Sequence, residues 1–178
     1  MQDQPAPSAI PEAVIYADGA ASPNPGAGGY GVVVLRAGER RELSGGFRRT
    51  TNNRMELLGA IVGLRELGTA PARVTLYSDS KYLVDMFNGG YAAKWRAQAW
   101  TRNKGKDPAV NPDLWNQLLD LGARHQLQCV WVRGHQENAE NIRCDELAVL
   151  ARQAKTLPPD TGYESPFIPG GNPQLNLF

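Results

Sequence analysis

The chain predicts an α/β fold, a mixed sheet covered by helices on its faces, and three observations predict it. Two β-rich runs, Val14-Ile15-Tyr16-Ala17 and Val32-Val33-Val34-Leu35, flank a loop of Gly, Pro and Asn, and a turn at Ala37-Gly38 brings a third run back antiparallel to the second. Two later β-rich runs, Val74–Ser78 and Gln128–Val132, alternate with stretches of helical period, the mark of parallel strands joined through crossover helices. At 178 residues and 42% hydrophobic content, the sequence is read as one domain with room for a real core.

In order, residues 1–12 form a loose N-terminal arm rich in Pro, Ala and Gln. The first three strands span about 14–18, 29–36 and 41–47. From Asn53 to Leu67 the apolar residues Leu57, Leu58, Ile61 and Leu64 fall at helical spacing. Glu56, Ala60 and Gly63 share one flank of that stripe, which sets Glu56 at the edge of the buried face. The fourth strand, 74–78, ends at Asp79, and a helix over 80–87 stops at Gly89-Gly90. Residues 91–106 carry Trp95, Trp100 and the bases Lys94, Arg96, Arg102, Lys104 and Lys106. Asn111-Pro112-Asp113 opens a helix to about His125, the fifth strand is 128–132, and a polar loop leads to a last helix over 143–155. After Thr156 the composition turns to Pro, Gly and Asn, so 164–178 is expected to be a flexible tail.

Four acids stand out, and each has an ordinary explanation. Asp18, before Gly19, could be a turn residue placed where a strand meets a mobile loop. Glu56 sits three after Asn53 and could complete a capping box. Asp79, between two serines, could cap the next helix, and Asp145 in the first turn of the last helix would suit its dipole. Their joint placement argues otherwise. Asp18 and Asp79 end strands that a right-handed crossover makes neighbours, Glu56 comes from the helix between them, and Asp145 approaches the same rim. Carboxylates that close must neutralise or bind cations. Hard oxygen ligands without a thiolate or His cluster point to Mg²⁺ or Mn²⁺, and carboxylates around a pair of such ions suit phosphodiester displacement.

Tyr16-Ala17-Asp18-Gly19 with Asn24-Pro25-Gly26 and Gly28-Gly29-Tyr30-Gly31 resembles the opening of a bacterial-type ribonuclease H of type 1. So do Thr50 to Leu57, Ser78-Asp79-Ser80, Trp131-Val132-Arg133-Gly134-His135 and Arg143-Cys144-Asp145-Glu146-Leu147-Ala148, in the family's order over residues 13–163. The resemblance implies the ribonuclease H-like fold, a five-stranded mixed sheet of order 3-2-1-4-5 with helices on both faces. It implies endonucleolytic cleavage of the RNA strand of RNA–DNA hybrids, leaving 5′-phosphate and 3′-hydroxyl ends. Asp18, Glu56, Asp79 and Asp145 match the family's four ligands for two Mg²⁺ ions, with Mn²⁺ as the other candidate. His135 matches its catalytic histidine, which shuttles protons or helps product leave; His125, late in a helix, is expected to be structural.

Substrate contacts follow from the same resemblance. Asn24, Asn52 and Asn53 match positions near the RNA strand, where amides can read a 2′-hydroxyl, although turn and cap formation would also explain them. Arg49, Thr51 and Asn111 match a pocket for a phosphate of the DNA strand. The Trp95/Trp100 segment resembles a basic handle that tracks the duplex; the ordinary alternative is a tryptophan-stapled surface element. Ala20 and Ala21 depart from the Ser and Cys of many relatives, and Lys81 stands where a Gln is common. A catalytically silent hybrid-binding module and a clamp-tethered adaptor are the competing readings.

Gln174-Leu175-Asn176-Leu177-Phe178 resembles the peptide by which bacterial replication proteins dock on the sliding clamp, with Gln174, Leu175, Leu177 and Phe178 as contacts. The formal net charge of +1 predicts no partner by itself, so local clusters carry that argument. Cys129 and Cys144 make neither a disulfide framework nor a zinc site. No signal-peptide core or membrane span is expected, and the chain is read as a cytoplasmic monomer.

Overall fold

The computed structural model describes residues 10–134 and 138–165. Three long strands open it: β1 (Glu12–Ala21), β2 (Gly26–Arg36) and β3 (Glu39–Thr50). They form an antiparallel meander in which Ala21 lies opposite Gly28 and Arg36 opposite Glu39. Asp18 therefore does not end its strand, against the expectation from sequence; β1 runs on through Gly19 and Ala20 to Ala21. Gly19 and Gly28, expected in the loop, lie in strands, and strand glycines sit under helices packed too close for a side chain. A β-carbon on Gly29 would fall 2.3 Å from the Ala148 carbonyl oxygen.

There follow α1 (Asn52–Glu66), β4 (Arg73–Ser78), α2 (Lys81–Asn88) and α3 (Tyr91–Ala97). A minimal hairpin, β5 (Thr101–Arg102) with β6 (Asp107–Pro108), leads to α4 (Pro112–Gly122) and β7 (Gln126–Trp131). The described chain closes with α5 (Ala139–Arg152) and the single turn α6 (Thr161–Glu164). The main sheet has the order β3-β2-β1-β4-β7, with β4 parallel to both β1 and β7. Since β5 and β6 form their own ribbon, β7 is the fifth strand of the main sheet, and the order is the one the resemblance implies.

Neighbouring strand positions point to opposite faces, and the glycines show which helix covers each. A β-carbon on Gly63 of α1 would lie 2.6 Å from Ile15 Cγ2, whereas one on Gly31 would lie 2.0 Å from the Cys144 carbonyl of α5. On the α1 face Leu57, Ile61 and Leu64 pack with Ile15, Val32, Leu76 and Trp115 in a core sealed from solvent. On the other face α5 lies over β1 and β2, and Arg40 and Arg143 join edge strand β3 to it through Glu140 and Glu42. Charge along an edge strand also opposes further strand pairing. Among the described residues no helix is long and apolar enough to cross a membrane.

Candidate active site

Asp18 from β1, Glu56 from the second turn of α1 and Asp79 just past β4 each offer an oxygen within 4.8 Å of the others. The capping explanations do not hold for these acids. Thr51 Oγ1 accepts from the Arg54 amide at 3.3 Å and caps α1, while Ser80 Oγ accepts from the Leu83 amide at 3.3 Å and caps α2. Glu56 is left facing the sheet. Asp18 and Glu56 are buried, and the Gly19 amide donates to Asp18 Oδ1 at 2.7 Å. Burial, with Asp18 and then Asp79 adding repulsion, pushes Glu56 well above the usual carboxylate range. A cation relieves that repulsion, and an all-oxygen donor set fits a hard divalent ion.

Asp145 lies in the second turn of α5, one turn later than expected. The helix starts earlier because Asn138 Oδ1 accepts from the Glu140 and Asn141 amides at 3.0 and 3.1 Å, which makes Asn138 its cap. Next to Asp145, the Cys144 thiol donates to the Tyr16 carbonyl at 3.3 Å. The Cys144 carbonyl meets Gly31, the residue opposite Asp18. The helix thus delivers Asp145 to the Asp18 side of the sheet, half-exposed and outside the 4.8 Å group. His135 and the tail residues Gln174, Leu175, Leu177 and Phe178 lie outside the described residues.

Two features of the rim escaped the sequence analysis. Trp131 Nε1 donates to the Asp79 carbonyl oxygen at 2.9 Å, and the Lys81 ammonium sits 5.1 Å from the centre of the same ring. Only the departure of Lys81 from the common Gln hinted at either. His125 is structural as expected, its Nδ1 accepting from the Ala72 amide at 3.2 Å.

At the start of α1 lies a cleft of about 1000 Å³ whose lining includes Asn24, Thr51, Asn52, Asn53, Trp100 and Asn111. Asn52 Oδ1 accepts from the Ala21 amide at 2.6 Å, and Asn24 Oδ1 from the Asn52 amide at 3.2 Å. These two side chains fasten the β1–β2 turn to the start of α1. Asn111 has left-handed backbone, φ 57°, and does not cap α4 with its side chain; its Oδ1 faces Arg54 Nη1 at 3.4 Å. Arg49 is exposed outside the lining. Trp95 and Trp100 both pack against the core, which is the stapling arrangement, and only Trp100 also reaches the cleft. The bases of the segment remain exposed.

Under the cleft is a buried charge network that no local pattern announces. Arg54 Nε donates to Asp160 Oδ2 at 2.7 Å, its Nη2 to Asp113 Oδ2 at 2.7 Å, and Thr50 Oγ1 donates to Asp160 Oδ2 at 2.6 Å. The network joins the end of β3, the start of α1, α4 and the segment before α6.

The family model for RNase H matches residues 11–153. The ribonuclease H of Trichodesmium erythraeum (strain IMS101) is 58% identical over 153 residues, covering 86% of this chain and 96% of that protein. The ribonuclease HI of Synechocystis sp. (strain ATCC 27184 / PCC 6803 / Kazusa) is 51% identical over 150 residues, covering 84% and 92% respectively. Among solved structures, LC9-RNase H1, a type 1 RNase H with the type 2 active-site motif, superposes with a TM-score of 0.72 at 30% identity, covering 85% of this chain and 77% of that one. LC11-RNase H1 in complex with an RNA/DNA hybrid superposes with a TM-score of 0.61 at 27% identity, covering 79% of this chain and 96% of that one.

Proposed function

This chain belongs to the ribonuclease H family, and from that membership we propose that Asp18, Glu56, Asp79 and Asp145 form the metal centre at which it cuts RNA. It is a ribonuclease H of the bacterial type 1 kind, an endonuclease that hydrolyses the RNA strand of RNA–DNA hybrids to 5′-phosphate and 3′-hydroxyl ends. The observation that carries the site is the approach of Asp18, Glu56 and Asp79 to within 4.8 Å.

Asp18, Glu56, Asp79 and Asp145 would hold two divalent ions, Mg²⁺ or Mn²⁺, which would supply activation of the attacking water and neutralisation of charge at the phosphate and the leaving 3′-oxygen. Asp18 and Glu56 give the centre buried anchors, Asp79 is held by its backbone carbonyl against Trp131, and Asp145 adds a ligand from the open side. His135 is the proton carrier, since a histidine near its free pKa exchanges protons at neutrality. Asn24, Asn52 and Asn53 face the RNA strand, while Arg49, Thr51 and Asn111 grip a DNA-strand phosphate. Trp100 and the exposed bases of residues 91–106 line the duplex path, with Trp95 as their staple.

The test is incubation of the protein and Asp18→Asn with end-labelled hybrid, duplex RNA and duplex DNA, in Mg²⁺, Mn²⁺ or EDTA. Metal-dependent cutting of the hybrid's RNA strand, lost in Asp18→Asn, is expected. Tight hybrid binding with no cleavage in either metal would instead identify a silent binding module.

The protein acts as a cytoplasmic monomer in this reading, and its two buried free thiols fit a reducing compartment. The tail binds the replication sliding clamp through Gln174, Leu175, Leu177 and Phe178. Clamp retention by the full chain but not by a chain ending at Gly170 is expected; equal retention by both would remove this partner.

A further inference from the structure

We propose that Tyr163 reads the DNA strand of the hybrid, its ring packing on a deoxyribose beside the phosphate that Arg49, Thr51 and Asn111 grip. The proposal rests on that phosphate reading. No residue of α6 is buried, so apolar packing does not set its place. Charge and close approach fix it instead. Asp160, its cap, is buried, bonded to Arg54, and accepts from the Tyr163 amide at 3.3 Å. Glu164 pairs with Arg48 at 2.6 Å, and the Arg48 amide donates to the Pro158 carbonyl oxygen at 2.9 Å. A β-carbon on Gly162 would overlap Asp113 Oδ2 and Arg54 Nη2, so the turn lies directly on that ion pair. The Tyr163 side chain takes part in none of these contacts. It is half-buried and, with Gly162, lines the cleft that Thr51, Trp100 and Asn111 also line.

The chemistry of the cleft selects the sugar. Thr51 and Asn111 bring hydrogen-bonding groups to the lining, and Tyr163 and Trp100 bring aromatic ones. A nucleic-acid backbone alternates phosphate with sugar, so a ring beside a phosphate pocket meets the adjoining sugar. A deoxyribose offers only carbon-bound hydrogen at C2′, which the apolar face of a ring can cover. A ribose would bring a hydroxyl, both donor and acceptor, against a ring that cannot pair it. Leaving that group dry and unpaired costs free energy. Tyr163 therefore favours DNA at this position, the complement of the amides that face the RNA strand. The Arg48 hydrogen bond, with Arg49 adding attraction, holds the Glu164 carboxyl below its usual range. α6 thus stands beside the base assigned to the phosphate.

Tyr163→Ala and Tyr163→Phe test this in the full chain. Binding is measured in EDTA, across a salt series, for an RNA–DNA hybrid and for the same hybrid with ribonucleotides placed in its DNA strand. Urea midpoints and steady-state cleavage in Mg²⁺ accompany it. Wild type should bind the ribose-substituted duplex several-fold more weakly than the hybrid. Tyr163→Ala should bind the hybrid several-fold more weakly than wild type, with the loss in KM rather than kcat, and its ribose penalty should shrink. Its salt slope should stay, because the ring carries no charge. Tyr163→Phe should match wild type, since the ring face and not the hydroxyl meets the sugar. An unchanged ribose penalty in Tyr163→Ala overturns the proposal. So does equal weakening of both duplexes with a lowered urea midpoint, which would make Tyr163 a structural member of α6. Arg49→Ala tests the phosphate reading separately and should reduce the slope of log affinity against log salt by about one unit. An unmoved slope there removes that reading, and the ribose penalty still decides for or against Tyr163.

Discussion

Gly19 and Met55 touch backbone to backbone: a β-carbon on Gly19 would lie 2.3 Å from the Met55 carbonyl carbon and 2.4 Å from the Glu56 amide nitrogen. That closeness lets α1 carry Glu56 to Asp18 and Asp79. Gly19→Ala must push the start of α1 away from β1, because the obstructing atoms are main chain and cannot rotate aside. We expect a loss of about 3 kcal/mol or more in stability, at the high end for overpacking. An activity loss of about 100-fold should accompany it, as catalytic groups misplaced by an ångström cost that much. Urea denaturation and steady-state cleavage check both, and near-wild-type activity would show that Glu56 does not depend on this contact.

Glu56 makes the metal-free protein pH-sensitive in a defined direction. Its folded pKa is raised above the unfolded value near 4.5 by burial and by Asp18 and Asp79. The native state thus keeps a proton that the unfolded chain has lost. The associated stability is full below the unfolded pKa and is lost as pH rises through the folded one. In EDTA at neutral pH, Glu56→Gln should therefore melt several degrees higher than wild type, and the gap should close near pH 4. The variant should be inactive, and Mg²⁺ should stabilise it less than wild type, since stabilisation by a ligand grows with the logarithm of its affinity. A variant that melts lower at neutral pH would contradict the origin assigned to the shift.

Much of this was legible because it is encoded locally. The spacing of Leu57, Ile61 and Leu64 defines α1 and leaves Glu56 on its flank, and all three apolar residues are sealed in the core. The alternation of β-rich and helical runs predicts the mixed sheet, whose strand order the resemblance supplied. What was missed depends on contacts across the fold. Gly19 and Gly28 look like loop residues until α1 is known to lie on them. Asp145 shifts by a turn because Asn138, one polar residue among several, is the cap. Trp95 and Trp100 stand among bases, and only the fold shows that both also pack on the core, as the apolar area of an aromatic ring favours. Asp160 meets Arg54 across 106 residues of sequence, and no periodicity records that.

The ion pairs on edge strand β3 give a second pH effect, of opposite sign. Arg143 and Arg40, bonded to Glu42 at 2.9 and 2.8 Å, hold its carboxyl down to about 2, below the ordinary 4.5. A depressed folded pKa contributes stability that is present above the unfolded value and is lost as pH falls toward the folded one. Glu42→Gln should therefore melt slightly below wild type at neutral pH, and the difference should vanish near pH 2. Exposed pairs are weak and screened, so molar salt should erase the gap as well. A difference that survives molar salt would assign the effect to packing instead.

Arg54 should be the costliest charge in the chain to remove. Its side chain is 5% exposed and its partner Asp160 is 7% exposed, so Arg54→Ala strands a buried carboxylate along with the half-buried Asp113. Breaking such a pair from one side costs about 3–5 kcal/mol, because the remaining charge has lost both solvent and counter-charge. Adding Asp160→Asn to Arg54→Ala should recover part of the loss, although Asp160 also accepts from Thr50 and the Tyr163 amide. Urea midpoints of the single and double variants decide the matter. A loss that the second substitution does not relieve would mean that lost packing of the guanidinium, rather than the abandoned carboxylate, sets the cost.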